Sequence, residues 1–476
     1  MAYDALRAVA EQTLGVSETP RVLADFDADL RDLVARGLLH HDRQTHRYDL
    51  HPIVRRYAYD RLGGAEREAA HGQLRDYFAA VPTPDRVQHL EDLAPVIELY
   101  HHTVRARNYD EAVKLLRDRL MPTPLVYQFG AYQLCIELLR VLFPDGEDQP
   151  PRVKREDDQG WTLLSLGNIY SFIGHPRNAV HALELAVELV EKLGNKKNVA
   201  IGLGNLATAQ IRTGELQAAE ANLRRHIALS QEIEDEPSES YGRCKLGWLL
   251  AYQGLWGEAE ETLAEAFALF EKGQDVQAQG VGWVYRVLRA LLLARWTAIT
   301  PNAQSPISDT PDALAAARWA LEMADETART IYPGEREYVR AHWVLGAAHQ
   351  ANGDLENADR HLSQALTRCR GINMVDHEAD ILLDLARLRA ATGARAEALR
   401  LAQEALVITE RSGYVLQGAD VHLFLAQMAL DDEDEETALE HAREARRLAT
   451  CDGPPDYTYK VAYDEAGALL QRMGSG

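Results

Sequence analysis

Glycine returns every 40 residues down much of this chain, and few folds tolerate that pattern. Gly174, Gly214 and Gly254 keep the step, and after an interruption Gly353 and Gly393 resume it. Each glycine ends one apolar-periodic stretch and opens another. Five residues on comes an alanine heading a helical ladder: Ala179, Leu183, Ala186; Ala219, Leu223, Ile227; Ala259, Leu263, Ala266; and later Ala358, Leu362, Ala365 and Ala398, Leu401, Ala405. A final ladder, Ala438, Ala442 and Ala445, keeps the spacing. Self-similarity at this period marks a stacked solenoid of helix pairs, because one pair alone cannot bury its apolar face. Small residues at Gly167, Ala207, Gly247, Gly346 and Ala386 let the two helices of a pair approach closely.

Leu163, Leu166, Gly167, Tyr170, Gly174, Ala179, Leu183 and Ala186 stand at the offsets of a tetratricopeptide repeat (TPR), and the chain resembles that superfamily. The resemblance implies an all-α fold, a TPR α-solenoid wound as a right-handed superhelix of 40-residue helix pairs. The run Gly202-Leu203-Gly204-Asn205-Leu206 is similar to the signature of Leu-Gly-Asn-rich adaptors.

Composition narrows the classes. At 476 residues the chain exceeds one compact core. Against 51 Lys plus Arg stand 73 Asp plus Glu, a net charge of -22 that repels phosphate backbones and anionic lipid. Cys135, Cys244, Cys369 and Cys451 are far apart in sequence and read as reduced, buried thiols. With no secretory pattern and no apolar run near 20 residues, a cytoplasmic protein is expected. His101-His102 on a helix point about 100° apart, so they cannot share an ion. His40-His41 project to opposite faces of a strand, and the acidic run 431–436 reads as a solvated turn. No constellation demands catalysis: the expectation is a non-enzyme with no cofactor and no metal.

Along the chain, residues 1–62 are expected to form a winged-helix domain. It would comprise helices over Ala5 to Leu14 and Val22 to Gly37, a short β-hairpin around 42–45, and a helix opened by Pro52. Residues 63–145 read as a helical adaptor and 146–159 as a linker. The superhelix spans 160–455 in about seven repeats with an insertion at 297–310, and 456–473 caps it.

Two segments resemble one family more narrowly. The run His51-Pro52-Ile53-Val54-Arg55-Arg56-Tyr57-Ala58 is similar to the winged-helix subdomain of STAND signalling ATPases, the class of NB-ARC and NACHT proteins. The stretches Glu98 to His102, Asn108 to Ala112 and Gly130 to Leu139 look like the region joining that subdomain to repeats in bacterial members. The resemblance implies a sensor portion of a longer switch. In that family a histidine at the place of His51 contacts bound ADP, so His51 would sense nucleotide in a full-length parent. No G-x-x-x-x-G-K-[ST] occurs here to cradle phosphates, so the nucleotide-binding core would be a partner domain.

The first helix of every pair should build a concave wall open to a peptide or protein ligand. Register places on it Asn168, Asn205, Arg212, Tyr241, Lys245, Trp248, Tyr252, Trp283, Arg286, Arg289, Arg340 and Trp343. Trp and Arg dominate binding hot spots, and all seven tryptophans lie between 161 and 343. The function expected is ligand sensing relayed to a nucleotide-binding core. The alternatives are a stand-alone scaffold and a peptide-responsive DNA-binding regulator. Against the last, residues 1–60 hold eight Lys plus Arg and ten Asp plus Glu.

Overall fold

The computed structural model describes residues 3, 6, 20–44, 46–82, 84, 86–300, 312–332 and 334–474. The chain forms two compact bodies: 1–125 with 140–158, and 126–139 with 159–476.

In the first body, helix α1 (Pro20–Ala35) ends at Gly37, whose φ of +68° needs no Cβ clearance. Strands β1 (Leu39–Asp42) and β2 (Arg47–Leu50) pair antiparallel, Leu39 opposite Leu50 and Asp42 opposite Arg47. Helix α2 (Pro52–Arg61) follows, then α3 (Gly64–Ala80), α4 (Ala94–Arg105) and α5 (Tyr109–Leu115). The helix expected over Ala5 to Leu14 lies outside the described residues except for Leu6. Nothing on α2 is buried, and Ile53 and Tyr57 are 73% and 62% exposed. Between α3 and α4, His71 Nδ1 meets His102 Nδ1 at 3.0 Å, both rings buried.

The second body begins with α6 (Tyr132–Arg140) and then takes the repeats. Their pairs are α7 (Glu156–Phe172) with α8 (Pro176–Lys192), α9 (Lys196–Thr213) with α10 (Leu216–Glu232), and α11 (Glu236–Tyr252) with α12 (Trp256–Gly273). Then come α13 (Val276–Ile299) with α14 (Ala313–Thr330), α15 (Glu335–Ala351) with α16 (Leu355–Gly371), α17 (Val375–Ala391) with α18 (Arg395–Ser412), and α19 (Val415–Asp431) with α20 (Glu435–Ala449). Helix α21 (Lys460–Gly474) is the last among the described residues and packs on α20.

Local chemistry repeats with the register. Asn195, Asp235, Asp275, Asp354 and Asp434 each accept a hydrogen bond from the backbone N–H three residues on, capping α9, α11, α13, α16 and α20. Within pairs, a Cβ at Gly167, Gly247 or Gly346 would stand 2.6, 2.6 and 2.7 Å from the Cγ of Leu183, Leu263 and Leu362. These are the close approaches that the small residues were expected to permit. The fourth pair departs from the rest: α13 runs 24 residues, through the start of the expected 297–310 insertion. Residues 301–311 of that insertion lie outside the described residues.

The wall is not open, contrary to expectation. A Cβ on Gly174 would stand 2.6 Å from Val375, on Gly214 2.8 Å from Val415, and on Gly254 2.6 Å from Lys460. Those partners are the first residues of α17, α19 and α21, five steps further along. The turn of one pair thus lies against the helix start of the fifth pair beyond it. Gly353 and Gly393 have no fifth successor, and a Cβ there would meet nothing within 4 Å. One apolar core joins these distant elements, holding Ile211 and Leu216 together with Leu416, Ala419, Leu423, Tyr459 and Val461. Arg295 spans the same seam, donating to Asp420 at 2.8 Å and Glu465 at 2.7 Å.

Candidate functional site

Closure turns the wall formed by the first helices into an interior. Lys245 on α11 fixes the inward register, and adding the repeat step of 40 lands on Tyr285 of α13. Trp248 stacks on Tyr285 with ring centroids 5.2 Å apart, and Tyr252 meets Trp248 and Tyr459 edge-on. From α15, Arg336 lies over the Phe172 ring at 3.8 Å, and Trp343 Nε1 donates to Asp384 at 2.8 Å. Tyr132 on α6 packs against Phe172, and Tyr127 stacks on Tyr332.

Charge is divided across this interior. Acids come from α17 and α19: Asp376, Asp380, Asp384 and Asp420. Cations come from earlier helices: Arg212, Lys245, Arg336 and Arg340. Arg212, only 8% exposed, pairs with Asp380 at 3.6 Å and Asp376 at 3.9 Å and lies 5.6 Å over the Tyr414 ring. Burial raises the Asp380 carboxyl to about 7 even though Arg212 opposes the shift. Lys245 Nζ donates only to neutral oxygens, the Gly204 carbonyl at 2.9 Å and Asn205 Oδ1 at 3.2 Å. Burial, with Arg336 and Arg340 nearby, lowers its ammonium to about 7. Several buried polar atoms here lack a hydrogen-bond partner: Tyr132 Oη, Tyr414 Oη, Arg336 Nε and Asp376 Oδ1. Such orphaned groups normally meet water, an ion or a ligand.

Most of the expected wall residues therefore face inward together: Asn205, Arg212, Lys245, Trp248, Tyr252, Arg340 and Trp343. Asn168 and Tyr241 are half-buried on the first helices of their pairs, Tyr241 edge-on to Phe270. Three residues require a correction. Trp283, Arg286 and Arg289 lie against the preceding pair: Trp283 packs on Phe267, Arg286 binds Glu260 at 3.2 Å, and Arg289 donates to the Trp256 carbonyl. At 1% exposure Arg289 is a core residue. Carried strictly by 40, the wall positions Tyr241, Lys245, Trp248 and Tyr252 give 281, 285, 288 and 292, so these three stand one or two positions off the register, which selects Tyr285. Tyr285, Arg336, Asp376, Asp380 and Tyr414 were missed. The step from Arg336 to Asp376 is again 40, so register alone carried that signal. His51 Nδ1 accepts from the Ile53 N–H at 3.4 Å and caps α2.

Among the described residues no group of three or more His, Cys, Asp or Glu side chains is placed to hold a metal, and no helix is long and apolar enough to cross a membrane. The tetratricopeptide repeat family matches residues 338–411. That stretch holds the fifth and sixth helix pairs, which supply Arg340, Trp343, Asp376 and Asp380.

No curated protein matches the chain. Among solved structures, it is similar to the STAND protein PH0952 with a tetratricopeptide repeat sensor from Pyrococcus horikoshii, at 14% identity and a TM-score of 0.43. That match covers 94% of this chain and 60% of the other. It is also similar to a Rap protein complexed with competence and sporulation factor, at 13% identity and a TM-score of 0.43, covering 86% and 96%. Human IFIT1 with PPP-AAAA gives 16% identity and a TM-score of 0.40, covering 89% and 88%. Likeness at this level assigns neither ligand nor activity.

Proposed function

We propose that the repeat body is a ligand-sensing module that takes a peptide, or a short segment of a protein, into its interior, and that it serves a STAND-type switch. The observation that carries the reading is the inner aromatic wall with the unpartnered Tyr132 and Tyr414 hydroxyls. Trp248, 5% exposed, stacks on Tyr285 with Tyr252 edge-on to it, and the buried Tyr414 hydroxyl, which shares Arg212 with Trp248, has no hydrogen-bond partner. A peptide backbone offers carbonyls to such donors and side chains to such rings. Because the walls already touch, ligand entry requires the closed and a more open arrangement to exchange, and that differential affinity is what a sensor uses.

The helix–hairpin–helix order from Pro20 to Arg61 supports a winged-helix assignment for the amino-terminal segment. Its exposed Ile53 and Tyr57 suit burial against a further domain. In a parent with a nucleotide-binding core, His51 would exchange its cap on α2 for contact with ADP. The chain itself is expected to be non-enzymatic.

The test uses a pool of short random peptides passed over immobilised protein, with bound peptides eluted and identified by mass spectrometry. Trp248→Leu should lower affinity for the recovered peptides about tenfold or more, a typical hot-spot loss, with the helical circular dichroism unchanged. Undiminished affinity in this variant would remove the interior from the account.

A further inference from the structure

The seam that closes the array changes in chemistry along its length. At its first two contacts a valine meets the glycine: Val375 lies against Gly174 and Val415 against Gly214. Beside the second, Asp452 also accepts the backbone N–H of Gln217, the second residue of α10, at 2.7 Å. The third contact is built differently. Gly254 meets the side chain of Lys460, and the next positions on the α12 side are uncovered: Leu255 is exposed, and a Cβ on Gly257 would meet nothing within 4 Å.

Polar side chains hold this third contact. Helix α13 runs 24 residues against 17 for α11, and the excess carries Arg295 and Trp296. Arg295 donates to Asp420 on α19, to Glu465 on α21 and, at 3.3 Å, to the Tyr459 hydroxyl, which itself donates to Asp420 at 2.8 Å. Trp296 Nε1 donates to Asp464 at 3.1 Å. The side chains of Arg295, Asp420 and Glu465 are all partly exposed. Charged groups already in touch with water regain hydration as they separate, whereas a parted valine contact loses its burial outright. Helix α21 also packs on α20, so it can leave α13 without giving up its whole apolar face. Directly behind the contact, Tyr459 stands edge-on to Tyr252, and Tyr252 edge-on to Trp248.

We propose that this third contact is the entrance to the interior, a gate held shut by Arg295, through which a ligand reaches the rings of Trp248 and Tyr252 while the Gly174 and Gly214 contacts stay closed. The inference rests on the sensing role argued above and gives it a route of entry. A closed gate lowers apparent affinity by the fraction of molecules standing open, so a weaker hold by Arg295 raises access.

The experiment reads access without a ligand. Lys245→Cys places a thiol on the inner wall, and its alkylation by N-ethylmaleimide at pH 7.5 is followed at that position by peptide mass spectrometry. Adding Arg295→Gln should speed the reaction about tenfold, and Glu465→Gln, which leaves the Asp420 arm in place, about threefold. Val375→Ala, which trims the first contact, should leave the rate within about twofold. Cys369, buried in α16, should stay unlabelled throughout. Its labelling in Arg295→Gln would mark unfolding of that variant and leave Glu465→Gln to decide. The gate is overturned if neither substitution changes the rate, or if Val375→Ala speeds it as much as they do, since the array then loosens as a whole. Peptides whose affinity survives Trp248→Leu would end the sensing role without altering the labelling result. Unchanged labelling beside intact peptide capture would end the gate alone.

Discussion

Acidification from pH 6.5 to pH 4 is expected to strip several kcal/mol from the folded protein. His102, His226, His342, His361 and His422 are each lowered to about 4, with burial the largest cause. A histidine whose folded value lies below its unfolded value near 6.5 binds more protons when unfolded, so stability is full above pH 6.5 and falls as pH drops toward 4. At pH 5 each such group costs about 1–2 kcal/mol. Asp380 works in the opposite direction. Raised to about 7, it takes its proton more readily when folded and so returns part of the loss below pH 7. Five histidines outweigh one aspartate.

The chain contains its own control. His342 and His361 meet at 3.0 Å through their Nδ1 atoms, joining α15 to α16. One repeat further on, the same two positions are Leu382 and Leu401, both buried. The double variant His342→Leu with His361→Leu should match wild type at pH 7.5 and keep about 2 kcal/mol more of its stability at pH 5, read from urea midpoints. Identical losses in the two proteins would remove the histidine pair as a cause.

The second large effect falls on glycines that look alike in sequence. Gly174 and Gly353 both end a first helix with positive φ, +84° and +77°. Alanine at Gly353 incurs the left-handed strain alone, about 1 kcal/mol. Alanine at Gly174 incurs that strain and also drives its methyl to 2.6 Å from Val375 Cγ1 and 3.0 Å from Ser412 Oγ. Overpacking of that kind adds about 1–3 kcal/mol, so Gly174→Ala should cost roughly 2–4 kcal/mol in chemical denaturation. Equal costs at the two sites would mean that the first and sixth pairs do not touch in solution.

Those two glycines also show what the sequence conveys and what it withholds. Periodicity, ladder and cap chemistry are local, so the helix pairs, the close approaches at Gly167, Gly247 and Gly346, and the hairpin at Leu39–Leu50 could be read directly. The seam could not, because its partners lie about 200 residues apart and follow from the small rotation accumulated at each step. The same limit applies to the interior. Register named Lys245, Trp248 and Arg212 as inward, yet pairing Arg212 with Asp380 needs knowledge that the wall meets itself. Trp283, Arg286 and Arg289 failed for a different reason. They stand one or two positions off the strict 40-residue step, which leads from Lys245 to Tyr285, and one or two positions turn a helical side chain toward the neighbouring pair.

The closure of the array after five pairs is best tested by the distance between spin labels at Arg177 and Arg411, both exposed. Arg177 lies against Gly413, so double electron–electron resonance should report one narrow population near or below about 25 Å, allowing for label length. Helices packed about 10 Å apart and running on without closing would separate these sites by more than about 40 Å, and a broad population there would contradict the closed interior.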